Sequence, residues 1–206
     1  MLGLAAETLA AFALTSLVVE VTPGPNLAYL AVLSATDGRR HGYAAVAGVA
    51  LGLLIVGLAA ALGLATLIAA SPILFQMLRW AGVAYLLWLA WDTWREERPE
   101  VNEFADSNAK YFKRGLIVNL LNPKAGVFYI AMLPQFVDAA ATILPQTIAL
   151  SLIYVAIATL VHGSIVTLAG ALKPVLNSPE RRQIVRRIMA VVLVLIAVWF
   201  AWSTAS

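Results

Sequence analysis

Three ionisable residues stand where hydrocarbon is expected: Glu20, Lys124 and His162 each lie deep inside a long apolar segment. A charge at the centre of a membrane helix costs about 2.5–3.5 kcal/mol on insertion scales, so such a residue faces a polar interior and a partner. Lys124 follows Pro123, with Asn119 and Asn122 nearby. It is roughly a dozen residues from either end of its segment, an awkward reach for a snorkelling side chain. Its ammonium is therefore expected to meet an anion, either a substrate carboxylate or Glu20. Glu20, two residues before Thr22, could exchange a proton, contact a substrate ammonium or pair with a basic side chain, Lys124 included. His162 is the only histidine inside an apolar segment, and histidine is the residue type most often used to carry protons near neutral pH. It is a candidate for proton coupling beside Glu20, although a lone histidine is more often a helix contact.

Two proline-containing stretches accompany these charges: Thr22-Pro23-Gly24-Pro25-Asn26 and Asn119-Leu120-Leu121-Asn122-Pro123-Lys124-Ala125. A proline inside a helix removes a donor and frees the carbonyl four residues back, which here points to Val19 and Val21. In a bilayer such a break survives only where protein or a water-filled cavity re-satisfies the backbone. After Pro25 a new helix start would aim backbone amides into the gap, a natural seat for a carboxylate. Thr22, Pro23, Gly24, Pro25, Asn26, Asn119, Asn122, Pro123 and Lys124 are thus the candidate substrate-binding residues, with Glu20 and His162 as candidates for proton coupling. Tyr129, Gln135 and Tyr154 are further candidates to line a cavity. Asp92 is expected to pair with Arg95 at i, i+3. Two histidines far apart in sequence and no carboxylate cluster within one span argue against a metal, and nothing points to a cofactor.

The elements that position these residues follow from composition. The chain has 206 residues, 62% of them hydrophobic and 12% charged. Soluble domains run at roughly 45–50% apolar and 25% charged, so an integral membrane protein is expected. Six apolar segments fall at about 7–36, 43–70, 74–94, 112–137, 144–172 and 186–204, each long enough for a spanning helix. The first and fourth carry the proline breaks. Without a basic leader, the first segment reads as a retained span. Cysteine is absent, which excludes disulfides and thiolate chemistry. The net charge of +3 is no nucleic-acid signal, because the basic residues sit in short loops. Twelve of the fourteen Lys and Arg fall in the first, third and fifth loops, which the positive-inside rule places in the cytoplasm, with both termini outside. Trp88, Trp91 and Trp94 read as an interfacial belt, and the Arg181-Arg182 and Arg186-Arg187 run as an anchor facing anionic lipid head groups.

Spans one to three and four to six look like two copies of one unit, with Pro23 and Pro123 at similar depth and a Gly/Ala-rich helix following each. Three spans per unit force the copies into opposite senses, so an inverted repeat is expected, as in many secondary transporters. The expected architecture is one all-α transmembrane domain over 1–206: repeat one at about 1–95, a cytoplasmic loop at about 95–112 and repeat two at about 112–206. The loops offer no His/Asp or Ser/His set for an enzyme. The alternative to a transporter is a passive channel for small polar solutes.

At these residues the chain resembles the lysine exporter / homoserine–threonine resistance (LysE/RhtB) family of bacterial amino-acid exporters. The resemblance rests on Thr22-Pro23-Gly24-Pro25-Asn26, Gly38-Arg39-Arg40-His41-Gly42, the Ala81–Leu89 stretch, and Gly115 through Pro134-Gln135-Phe136 around Asn122-Pro123-Lys124-Ala125. It implies a bacterial inner-membrane exporter of amino acids or close derivatives. It also implies drive by the proton gradient, frequent homo-oligomerisation, and a site at Pro23–Asn26 and Asn122–Lys124; proton antiport with alternating access is the mechanism expected of two broken helices lining one cavity.

Overall fold

Each proline break ends one helix and starts another. In the computed structural model, which describes residues 4–63, 71–95, 108–138, 140–171 and 179–203, helix α1 (Ala6–Val21) stops at Thr22 and α2 (Pro25–Asp37) starts at Pro25. The residue before a proline is pushed to extended backbone. Thr22 accordingly has ψ 127° and Gly24 has φ −169°, ψ 177°. Pro25 is tolerated as the first helical residue because its missing N–H would have no partner there. Asn122 (φ −89°, ψ 103°) and Pro123 repeat the pattern between α5 (Asn108–Leu120) and α6 (Pro123–Val127). The two broken pairs are bent by 57° and 52°.

Between the breaks run α3 (Arg39–Ala61) and α4 (Pro72–Arg95). Gly38 joins α2 to α3 at φ 95°, a conformation in which a Cβ would be strained. After α6 the ladder loosens into a π-helical turn at Phe128–Met132 and a 3-10 turn at Leu133–Phe136. Pro134 contributes by removing a donor that an α-helix would send to Ile130. Then come α7 (Ile143–Gly170) and α8 (Pro179–Ser203). No strand occurs among the described residues. Helices α3 and α7 are long and apolar enough to cross a bilayer alone, with mean hydropathy 2.4 and 2.0, and each bent pair qualifies as one broken span. At 1.5 Å per residue, the 24 residues of α4 and 25 of α8 reach roughly 36 Å, beyond the hydrocarbon thickness of about 30 Å. The 64–70 end of the second apolar segment, Arg98 with most of the third loop, and Lys173 lie outside the described residues.

Polarity is distributed as a bilayer requires. Ser16, Glu20, Asn119, Gln146, Ser151 and His162 are buried, whereas Leu14, Val18, Leu160, Leu168 and Trp202 face outward. Where apolar side chains gain little by leaving lipid, helices associate through close packing at small residues. Gly48 and Gly115 bring α3 and α5 into backbone contact: a Cβ on Gly48 would lie 2.0 Å from the Phe112 carbonyl, and one on Gly115 would lie 2.2 Å from that of Ala45.

The basic ends of the helices gather at one end of the bundle. Arg39 Nε donates to the Thr167 carbonyl at 3.0 Å, and the Tyr111 hydroxyl donates to Asp37 Oδ2 at 3.2 Å. The expected Asp92–Arg95 pair is replaced. Asp92 Oδ2 takes Arg114 Nη2 at 2.6 Å across the α4–α5 gap, while Arg95 lies over the Trp91 ring at 4.7 Å. The Arg114 guanidinium, arriving from α5, also lies over the Trp88 ring at 5.4 Å, so one side chain makes two contacts with α4. Trp88, Trp91 and Trp94 are each about half exposed on the outer face, and Arg187 of α8 covers Trp94 at 5.5 Å.

Gly115→Val should lower stability by at least about 1–3 kcal/mol, the usual cost of overpacking. Gly126→Ala, where a Cβ meets open space, should be neutral or stabilising. Thermal unfolding of the purified protein in detergent compares the two. Equal melting temperatures would show that the α3–α5 contact is looser than described.

Candidate functional site

The two breaks meet, and Lys124 joins them. Its Nζ donates to the carbonyl of Thr22 at 2.7 Å, reaching from the start of α6 to the end of α1. Asn122 caps α6 by accepting the Lys124 backbone N–H at 3.1 Å, which fixes the lysine's starting direction. Gly24 leaves room for the arm, since a Cβ there would stand 3.3 Å from Lys124 Cδ. The backbone of the first break differs in one respect from the sequence expectation. The Val19 carbonyl is not free: the Thr22 N–H is shared between Val18 and Val19 at 3.2 Å, and Thr22 Oγ1 donates to Val18 at 2.8 Å.

Glu20 lies two residues before Thr22, about half a helical turn, and is 4% exposed. Both of its partners come from α7. The Tyr154 hydroxyl donates to Oε1, and His162 Nε2 stands 3.1 Å from Oε2, within ion-pair reach but off hydrogen-bond geometry. Tyr154 and His162 are two helical turns apart and therefore share one face of α7. Glu20 and Lys124 do not pair directly; each is held by other groups. They line one cleft with Gly24, Asn26, Leu27, Asn122, Ala125 and His162. The cleft holds about 10 Å³ of water-accessible space, on the order of one water molecule. Buried Asn26 adds an acceptor, because its Oδ1 has no hydrogen-bond partner.

Of the candidate residues, the wall of the cleft collects Glu20, Gly24, Asn26, Asn122, Lys124 and His162. Thr22 takes part through its backbone carbonyl. Pro23, Pro25 and Asn119 are not on that wall. Pro25 and Pro123 start the helices that bring the others in. Asn119 is fully buried, its amide pressed onto Gly52 and without a hydrogen-bond partner. Gln135 is exposed and donates to the Ala131 carbonyl. Leu27 and Ala125 were not singled out by the sequence, and Tyr154 only as a cavity wall. Its eight-residue spacing from His162 was the available signal for a shared role.

A second, larger cavity of about 360 Å³ opens at the end of the bundle opposite the basic one. Its wall is largely apolar and includes Ala61, Tyr129, Leu133, Pro134, Ile143 and Thr147. Packed rings link the two walls: Tyr129 of this cavity is edge-on to Tyr154 at 5.4 Å, Phe128 is stacked on Tyr154 at 3.8 Å, and the Tyr154 hydroxyl donates to Glu20 of the cleft. No group of three or more potential metal ligands occurs among the described residues.

Residues 17–204 match the family model described as LysE type translocator. The homoserine/homoserine lactone efflux protein of Salmonella typhi is 31% identical over 194 residues, 93% of this chain and 94% of that protein. The leucine efflux protein of Enterobacter sp. (strain 638) is 34% identical over 128 residues, 60% of this chain and 61% of that protein. A Vibrio cholerae sequence described as an uncharacterized membrane protein is 31% identical over 173 residues, 82% of this chain and 84% of that protein. No solved structure matches.

His162→Leu would leave the buried Glu20 carboxylate with Tyr154 as its remaining close partner. The variant should lose about 1–3 kcal/mol of stability, the cost of an under-satisfied buried polar group, whereas His162→Gln should recover part of it. Melting temperatures in detergent read this directly. An unchanged value for His162→Leu would show that the contact contributes nothing.

Proposed function

The chain belongs to the LysE type translocator family, and from that premise we propose that it exports amino acids or close derivatives from the cytoplasm by proton antiport with alternating access. The observation that carries this reading is a pair of opposite charges facing one cleft, Glu20 from the first broken span and Lys124 from the second. A zwitterion fits that arrangement. Its ammonium would go to Glu20 and to the unpartnered Asn26 Oδ1. Its carboxylate would take Lys124 from the Thr22 carbonyl, helped by the amides opening α2. Glu20, with His162 at 3.1 Å, would carry the coupling proton in the substrate's absence. The cleft has room for about one water, so substrate binding requires it to widen.

We further propose that the chain forms one transmembrane domain of six crossings, arranged as an inverted repeat of three and three, with both termini outside a bacterial inner membrane. Supporting this are the matched bends of 57° and 52°, a Gly-bearing helix after each, and α4 packed on α8. An inverted repeat places a site at the crossing of its two broken helices. A homo-oligomer is part of the same proposal and rests on the family resemblance alone. The alternative, a passive channel, is less favoured because broken helices in an inverted repeat are the pattern of secondary transporters.

Proteoliposomes preloaded with L-homoserine or L-leucine test the assignment, those two being the compounds named for the efflux relatives. Efflux should follow an imposed pH gradient and fall about ten-fold or more in Lys124→Ala and Glu20→Gln, since charge-assisted hydrogen bonds contribute about 1.5–3 kcal/mol each. Full activity in both variants would remove the site. Efflux indifferent to the gradient would favour the channel.

A further inference from the structure

Tyr154 contacts one wall residue of each compartment, Glu20 of the cleft and Tyr129 of the larger cavity. It is fully buried, its hydroxyl donates to the carboxylate at the cleft, and its ring packs against Phe128 and Tyr129. Tyr129 in turn lines the outer cavity. We propose that Tyr154 is a positioning residue that ties the charge on Glu20 to an outer gate formed by the Phe128, Tyr154 and Tyr129 rings. The proposal rests on the transport reading above and adds to it the element through which the carboxylate acts.

The chemistry is that of one hydrogen bond. A phenol donating to an ionised carboxylate makes a charge-assisted bond, roughly twice as strong as its neutral counterpart. With Glu20 ionised, the hydroxyl is held, the ring lies flat on Phe128, and the cleft is shut from the outer cavity. A proton on Glu20 neutralises the acceptor, and the ring is released. The groups facing Glu20 are Tyr154 and His162 from α7, Lys124 from α6 and the Tyr129 hydroxyl from the π-turn. Of these, Tyr154 alone both bonds to the carboxylate and packs in the ring stack.

The stack is also built on backbone that can move. Phe128 and Tyr129 open the π-helical turn, which passes directly into the 3-10 turn at Leu133–Phe136. Such departures from the α ladder are places where a helix changes register at low cost. On the other side, Phe12 backs Phe128 at 5.8 Å and Phe136 at 5.2 Å, tying α1 to the same turn. Displacing the Tyr154 ring therefore unseats contacts on both flanks of the passage.

Because the chain contains no cysteine, single cysteines can report the gate without any knowledge of the substrate. Leu27→Cys sits in the cleft and Ala61→Cys in the outer cavity. Intact cells are treated with a membrane-impermeant maleimide at one fixed pH, and labelling at Leu27→Cys is divided by labelling at Ala61→Cys to remove differences in expression and reagent. In the Tyr154 background this ratio should be low. In Tyr154→Phe, which keeps the ring and loses the hydroxyl, it should rise several-fold; Glu20→Gln should give the same result, and the double variant should add nothing to either. A Tyr154→Phe or Glu20→Gln ratio equal to the parent's overturns the proposal, as does a double variant whose effects simply multiply. Labelling at Ala61→Cys in each background verifies that the variant is folded and in the membrane. If the gate behaves as described while amino-acid efflux is absent, the transport reading fails and the gate stands.

Discussion

The hydrogen bond from Lys124 to the Thr22 carbonyl is the contact on which the centre of the molecule depends. A helix broken inside hydrocarbon leaves backbone groups that water cannot reach, at several kcal/mol for each one unsatisfied. In the first break, Thr22 returns its own N–H and hydroxyl to Val18 and Val19, and its carbonyl receives Lys124 at 2.7 Å. The lysine from one break thus completes the backbone of the other, and its own ammonium gains an oxygen ligand at the same stroke. Three residue choices follow from this single contact. Asn122 caps the helix that launches the lysine, Pro123 starts that helix, and Gly24 yields the space its arm crosses.

Glu20 is held on different terms. Its partners, a phenol and an imidazole, need not carry charge, and both stand on α7. A buried carboxylate with neutral partners remains short of positive charge, while Asn26 Oδ1 nearby is an acceptor without a donor. The cleft is therefore rich in acceptors on one side and holds a single ammonium on the other. A ligand ammonium would supply the missing donors. A ligand carboxylate would compete for Lys124 against a neutral carbonyl, a contest that favours the anion. In the proposed cycle the empty protein is stable for the same reason that it is receptive: each charge has a partner, and each partner is weaker than the ligand group that would replace it.

The parts of this arrangement that the sequence discloses are those a bilayer makes expensive. A lysine, a glutamate and two proline motifs in apolar segments are conspicuous because each carries a cost that only a particular surrounding offsets. The broken spans and the meeting of Glu20, Lys124, Asn26, Asn122 and His162 were legible on that basis. Tyr154 was not, because a tyrosine in an apolar helix raises no such alarm and only its spacing from His162 hinted at a shared face. Asn119 shows the opposite error of scale: closeness to Pro123 along the chain says nothing of side-chain direction, and its amide lies on Gly52. Asp92 went to Arg114 because a tertiary contact outweighs the weak preference of an i, i+3 pair. The π-turn left no mark in the sequence beyond Pro134.

Rigidity and softness are segregated along the chain, which bears on how the cleft could widen. Where α3 meets α5, backbone lies against backbone through Gly48 and Gly115, and packed interiors of this kind tolerate little displacement. The departures from the α ladder lie elsewhere, at Thr22–Gly24, at Leu121–Asn122 and from Phe128 to Phe136. All three adjoin the cleft or the rings above it. Opening the cleft thus does not require separating the α3–α5 seam, because the half-helices α2 and α6 can turn at the extended backbone of Thr22, Gly24 and Asn122. The same breaks that expose the polar groups are the hinges that would let a ligand reach them, and the Lys124–Thr22 bond spans both hinges. A carboxylate that draws Lys124 away from Thr22 would loosen the two hinges together, so recognition of the ligand and widening of the cleft reduce to the exchange of one hydrogen bond.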